Sequence, residues 1–304
     1  MTQLLNALPG ALAQGLIWGV MAIGVYITYK VLDIADLTVD GSICTGAAVC
    51  TMLLLGGQSP WLALLCAVLA GVLAGAVTGL LHVGLGIPPI LAGILTQMVL
   101  WSVNLKLLGK ANQALPARTT PVLLSQMDVG GALPVLLGFC VVLVALLVLF
   151  FGTELGCALR ATGCNPVMSR AQGVNTGLMK VVGLALSNGV VALSGALLCQ
   201  YQGYTDVNMG RGAVVIGLAA VVIGRAVLGR RGGRMAVQLG GVILGAVIYY
   251  IVYQVIIFAG FDTDLLKMFS AVVVAVFLGA PHVKAQLKAH SRSKKGDSGH
   301  AENE

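Results

Sequence analysis

Charge is what this chain has little of. Asp, Glu, Lys and Arg together make up 10% of its 304 residues, against about a quarter in soluble domains. None of the four occurs in the 65 residues from Gly41 to Leu105. A water-soluble core has no use for so long an uncharged stretch, whereas the hydrocarbon slab of a bilayer takes about 20 apolar residues per helical crossing. The formal charge of +7 therefore bears on orientation in a membrane, not on nucleic acid. Paired cysteine spacing is also missing. Cys44, Cys50, Cys66, Cys140, Cys157, Cys164 and Cys199 lie scattered in or beside apolar stretches, which argues for small core residues and against a disulfide frame or a metal site. The first 29 residues carry no charged side chain, so they lack the basic start of a cleavable signal peptide and read as a first crossing. No Walker-type P-loop occurs, so any ATP that drives this protein must be bound by another chain. His82, His282, His290 and His300 are far apart and form no His/Asp or Glu/His constellation for a membrane enzyme.

What the chain has is apolar residues, 58% of the total at a mean hydropathy of +0.95. It also has 41 glycines, as close helix packing in lipid requires. The pattern predicts an all-α polytopic membrane protein with about nine transmembrane helices. They fall near 8–29, 41–57, 61–82, 88–105, 131–152, 178–200, 212–224, 236–259 and 266–282. The 13 residues between Arg211 and Arg225 are too few for an upright crossing and read as a short or half-helix. Residues 1–283 form one transmembrane domain, and the polar tail 284–304 reads as a disordered cytoplasmic end. With the N-terminus outside and the C-terminus inside, 13 basic residues lie inside and five outside, the bias the positive-inside rule asks for.

Three polar islands interrupt the apolar background. In the first, Asp33, Asp36 and Asp40 sit at the membrane edge. Two readings stand side by side: a solvated turn in which Asp40 helps to start the next helix, or carboxylates lining a path or meeting Arg or Lys from another element. In the second, Asn165 is an N-cap, Pro166 suits the first helical position and Gly173 offers a stop. A helix of about two turns results, with Met168 on it and Arg160 and Arg170 beside it. On the inner side that helix suits docking of a soluble partner, the alternative being an ordinary amphipathic connector. The third, Gly217–Gly224 followed by Arg225 to Arg234, is a small-residue helix ending in a Gly/Arg-rich turn. Polar residues inside apolar spans, namely Thr96, Gln97, Ser102, Asn104, Ser187 and Asn188, are candidates for a translocation path. Interhelical hydrogen bonds are their bland alternative.

Taken together, these islands resemble the permease subunits of bacterial ABC importers of the branched-chain amino acid and ribose type. Asp36-Leu37-Thr38-Val39 matches the motif that follows an early span in that family. Asn165-Pro166 with Arg170-Ala171-Gln172-Gly173-Val174 looks like the loop that docks on the ATPase. Leu218–Gly224 through Gly232-Gly233-Arg234 resembles the family's Ala-Ala-Val-Val-Leu-Gly-Gly … Gly-Gly-X-Gly segment. The match covers residues 10–283 and starts at what would be the second helix of longer members. Arg225 stands where the family has a second glycine. The short form is most similar to the tryptophan/tyrosine transport-system permeases. The resemblance implies a membrane-spanning dimer of two permease copies in the bacterial inner membrane. ATPase subunits carrying ATP-Mg would dock inside and a solute-binding lipoprotein outside, and the chain itself would bind no cofactor or metal. It further implies an inverted repeat restarting near residue 178 and alternating access driven by the ATPases. The other reading to be weighed is an ion-coupled secondary transporter, for which Asp33, Asp36 or Asp40 would be the coupling carboxylate.

Overall fold

A computed structural model describes residues 2–116, 120, 122–228, 234–258, 272 and 275. The expected span at 266–282, the tail, Arg230, Arg231, Gly232 and Gly233 lie outside the described residues. Among the described residues ten α-helices carry the fold: α1 (Thr2–Tyr26), α2 (Val39–Leu55), α3 (Pro60–Gly84), α4 (Pro89–Leu108), α5 (Val129–Gly152), α6 (Glu154–Cys164), α7 (Pro166–Ala171), α8 (Thr176–Gln202), α9 (Ala213–Leu228) and α10 (Met235–Phe258). A π-helical turn, Ile27–Val31, extends α1. The strands β1 (Asn112–Ala114) and β2 (Tyr204–Asp206) pair antiparallel.

Six of these helices are long and apolar enough to cross a membrane; α2 and α9 are shorter. At 1.5 Å per residue, the 17 residues of α2 and 16 of α9 reach only about 25 Å, less than the hydrocarbon slab. Each is the second part of an interrupted pass. After the π turn the chain runs back into the bundle as the non-helical segment 32–38 before α2 begins. After β2 it runs inward through 207–212 before α9 begins. Of the eight crossings expected between residues 8 and 259, six coincide with helices long enough to cross, and the half-helix expected near 212–224 appears as α9. The stretch 41–57, expected as an ordinary crossing, is half-helical as well.

The two interrupted passes are related. α1 and α8 are the most deeply enclosed long helices and pack against each other. Each is followed by a non-helical segment, a short helix and a long helix. α2 packs on α3 and α8, while α9 packs on α10 and α1. The crossing of α1 and α8 is antiparallel, since Ser187 Oγ donates to Gly24 O (2.8 Å) and Ser194 Oγ to Ile17 O (2.8 Å). α1–α2–α3 and α8–α9–α10 thus follow the same order of long, short and long helix with their first helices antiparallel, an order that inverted repeats in transporters share. Small residues hold these helices together. Gly71, Gly75 and Gly79 recur every fourth residue on α3, and a Cβ at Gly75 would overlap the Leu184 carbonyl of α8. This is helix contact through missing side chains, the packing mode that lipid favours.

At one end of the bundle Thr51 and Thr205 share a hydroxyl hydrogen bond of 2.6 Å, tying α2 to β2. Thr51→Val is expected to destabilise the protein by about 0.6 kcal/mol and by no more than about 1.7 kcal/mol, the range of interhelical polar contacts in membranes. Reversible unfolding in mixed micelles measures this, and a loss well above that range would mean the strand pair anchors more than α2.

Candidate functional site

The interrupted passes meet inside the bundle, and their junction is built from polar groups. The expectation that Asp33, Asp36 and Asp40 form a membrane-edge motif needs correction. Asp33 is exposed, with a left-handed backbone (φ 58°), but Asp36 is buried. Its Oδ1 accepts from the Thr38 backbone N (2.8 Å) and its Oδ2 from Asn188 Nδ2 (2.7 Å), near the middle of α8. Asn188 donates further to Leu184 O, and its Oδ1 accepts from Ser42 Oγ at 2.6 Å. Thr38 and Thr78 share a hydroxyl hydrogen bond of 2.8 Å, and α4 approaches the same segment at Gly93. The physical reason is the interruption itself. A non-helical segment at membrane depth must satisfy its backbone from side chains, because no water or lipid will do so.

Asp40 stands in the first turn of its own helix α2, as the sequence suggested, but its side chain is spent on a second helix. Its Oδ2 accepts from Gly212 N (3.0 Å) and its Oδ1 from Val214 N (3.1 Å). It therefore caps α9, a helix whose first turn leaves N–H groups unpartnered. The carboxylate also complements the positive end of that helix. One half-helix supplies the cap of the other.

Beside this junction lies a cavity of about 540 Å³, within the range of small-molecule sites. Asp40, Gly41 and Cys44 of α2 form one wall; Gln97, Trp101, Ser102 and Asn104 of α4 face it; Val207 and Arg211 close it. It occupies the half of the bundle that carries β1 and β2. Asn104 is 1% exposed, and neither atom of its amide has a hydrogen-bond partner among the described residues.

Of the expected path residues, Gln97, Ser102 and Asn104 come together on this cavity, while Thr96, Ser187 and Asn188 do not line it. Thr96 Oγ1 donates to Ala92 O within its own helix, and Ser187 and Asn188 make the interhelical bonds already described. Arg211 was missed. Its signal was local: an arginine between Gly210 and Gly212, immediately before the shortest apolar stretch.

At the opposite end, α6 and α7 form a second feature. Asn165 Oδ1 accepts from Val167 N (3.1 Å) and Met168 N (3.0 Å), as an N-cap does. Gly173 closes α7 with φ 82°, and Val174 N donates to Ser169 O (3.0 Å), a glycine-terminated stop. Arg170 Nε donates to Thr176 Oγ1 (3.3 Å) at the start of α8, and Arg160 Nη2 to Cys157 Sγ (3.3 Å). Gly163 of α6 lies against the Val31 backbone at the end of the π turn, where a Cβ would not fit. Six-residue α7 is thus held on both sides while Val167 and Met168 stand 78% and 62% exposed. α6 was not foreseen; the sequence marked only its end, from Leu159 onward.

Six helices long enough to cross a membrane, two shorter ones that meet at a polar cavity and a capped helix across one end define a polytopic membrane transport protein. The particular kind follows from comparison. Residues 8–280 match the family described as branched-chain amino acid transport system / permease component, and the chain belongs to it. It is a transmembrane permease subunit of ABC type. It is 37% identical to the tyrosine transport system permease protein of Clostridioides difficile strain R20291, over 93% of this chain and 94% of that one. It is 34% identical to the uncharacterised protein RP368 of Rickettsia prowazekii strain Madrid E, over 91% and 98% of the two chains. It is 29% identical to the autoinducer 2 import system permease protein LsrC of Escherichia coli strain K12 / DH10B, over 67% of this chain and 60% of that one. No solved structure matches the chain.

Proposed function

We propose that this chain is the membrane path of an ATP-driven, binding-protein-dependent importer whose cargo is an aromatic amino acid, with tyrosine favoured. The observation that carries the ATP-driven part is α7. It is a helix capped at both ends, packed on α6 and α8, and presenting two bare apolar side chains where an ordinary connector would present polar ones. The cargo rests on the tyrosine transport permease, which matches along nearly the whole of both chains. ATP and Mg²⁺ belong to the ATPase partner, the receptor is a solute-binding lipoprotein, and two permease copies form the membrane unit. We place the α6–α7 end in the cytoplasm and the β1–β2 end outside. Among the described residues Lys30, Arg160, Arg170, Lys180, Arg225 and Arg234 lie at or near the former, and Lys106, Lys110 and Arg211 at or near the latter. That distribution is what the positive-inside rule favours.

Two measurements test this reading. With Cys157 and Cys164 replaced by serine, a cysteine at Ala111 is expected to label from outside intact cells, and one at Met168 only after permeabilisation. The reverse pattern inverts the topology. In cells expressing the complete transporter, uptake of labelled tyrosine is expected to survive a protonophore while ATP is maintained and to stop when ATP is depleted. Uptake that collapses with the ion gradient at full ATP points to the ion-coupled alternative.

A further inference from the structure

The cavity at the half-helix junction has a charge pattern that narrows what passes through it. Asp40 and Arg211 put one anion and one cation on its walls. The Asp40 carboxylate is pinned by two backbone N–H groups of α9. A carboxylate offers about four acceptor positions, so it can accept further while its charge stays in place. Arg211 is held through its backbone, which donates to Asn208 O. Its guanidinium has no hydrogen-bond partner among the described residues. Trp101 and Met98 contribute apolar surface, with Trp101 44% exposed. Asn104, the buried amide with neither donor nor acceptor partnered, sits on the same wall. Leaving such a group unpartnered is costly, and because both amide atoms are enclosed, a ligand that both donates and accepts relieves it once the Asn104 side chain turns towards the cavity.

Simpler cargoes fit less well. An inorganic cation would face Arg211, an inorganic anion would face Asp40, and a neutral sugar would have to desolvate both charges without neutralising either. We propose that this cavity is a transit subsite for a free α-amino acid zwitterion. Arg211 takes the α-carboxylate, Asp40 with Gln97 takes the α-ammonium, and Trp101 with Met98 takes the side chain. Asn104 supplies the remaining donor and acceptor. The assignment rests on the amino-acid importer reading above and gives that reading a place in the fold.

Proteoliposomes holding the complete transporter test it with labelled tyrosine. Arg211→Gln is expected to cut uptake per assembled complex roughly 10- to 100-fold, the worth of one charged hydrogen bond, and Arg211→Lys to restore part of it. Asn104→Leu is expected to lower uptake while raising the temperature of thermal unfolding, because it removes an unpartnered amide at similar volume. A residue that merely held the helices together would lower both. Wild-type rates in Arg211→Gln and Asn104→Leu would overturn the subsite and leave the importer standing. So would a fall in both uptake and stability for Asn104→Leu with Arg211→Gln at wild-type rate. Failure of the wild-type transporter to move any amino acid would overturn both readings together.

Discussion

Met168→Asp is expected to leave the protein in the membrane at near-normal levels and to abolish both co-purification of the ATPase and substrate uptake. Met168 is 62% exposed, so the substitution removes little packing and adds a carboxylate that water can solvate. The folded permease should tolerate it. The docked complex should not, because there the same carboxylate would enter an apolar contact with no partner, at a cost of several kcal/mol. Each 1.4 kcal/mol is a factor of ten in affinity, so about 3 kcal/mol already weakens association more than 100-fold. Met168→Leu keeps the apolar volume and is expected to behave as wild type. Normal ATPase binding by Met168→Asp would remove α7 as the docking element, and with it the structural support for ATP drive.

The α7 prediction draws on residues that the sequence displayed openly. Asn165, Pro166 and Gly173 are local signals, each acting within four residues of its own position, and the structure uses all three as their chemistry suggests. The six helices long enough to cross a membrane were legible for the same reason, since length and uncharged composition are properties of a segment alone. What failed were statements about depth and partnership. Asp36 looked like an edge residue because charge in an apolar chain ordinarily marks an edge. Its partner Asn188 stands 152 positions away, and no periodicity connects them. Asp40 was read as helping to start the next helix, and it does stand in the first turn of α2, but nothing local announced that its carboxylate also caps α9, 172 residues on at Gly212. The strand pair joins residues 112–114 to 204–206 through segments too short to carry an alternation. α6 was hidden because Thr153 caps it directly after α5, which leaves no loop between the two helices.

The distant pairing of Asp36 with Asn188 is where the interrupted helix is decided, and replacing Asp36 should show it. Asp36→Leu leaves one of the two Asn188 Nδ2 hydrogens and the Thr38 N–H without acceptors in a buried site. At about 1–3 kcal/mol for each orphaned group, the summed loss is a large part of the stability of an ordinary fold. We expect strongly reduced membrane accumulation and a large fall in unfolding temperature. Asp36→Asn should do less harm, since its carbonyl oxygen can still accept from Thr38 N, but its amide then opposes the amide of Asn188. Exchanging the pair, Asp36→Asn with Asn188→Asp, returns a donor to face an acceptor across the same gap. The exchange is expected to recover part of the loss, with a coupling of about 0.5–3 kcal/mol typical of residues in contact. Recovery stays partial because Asn188 also donates to Leu184 O, a bond a carboxylate cannot make. Unfolding measurements on the four proteins give the coupling directly, and uptake per folded molecule separates structure from transport. If Asp36→Asn folds and accumulates like wild type yet transports nothing, Asp36 is a coupling carboxylate and the ion-driven reading regains its ground. If stability falls and returns with the exchange, the carboxylate is the latch that lets a membrane helix begin halfway through the bilayer.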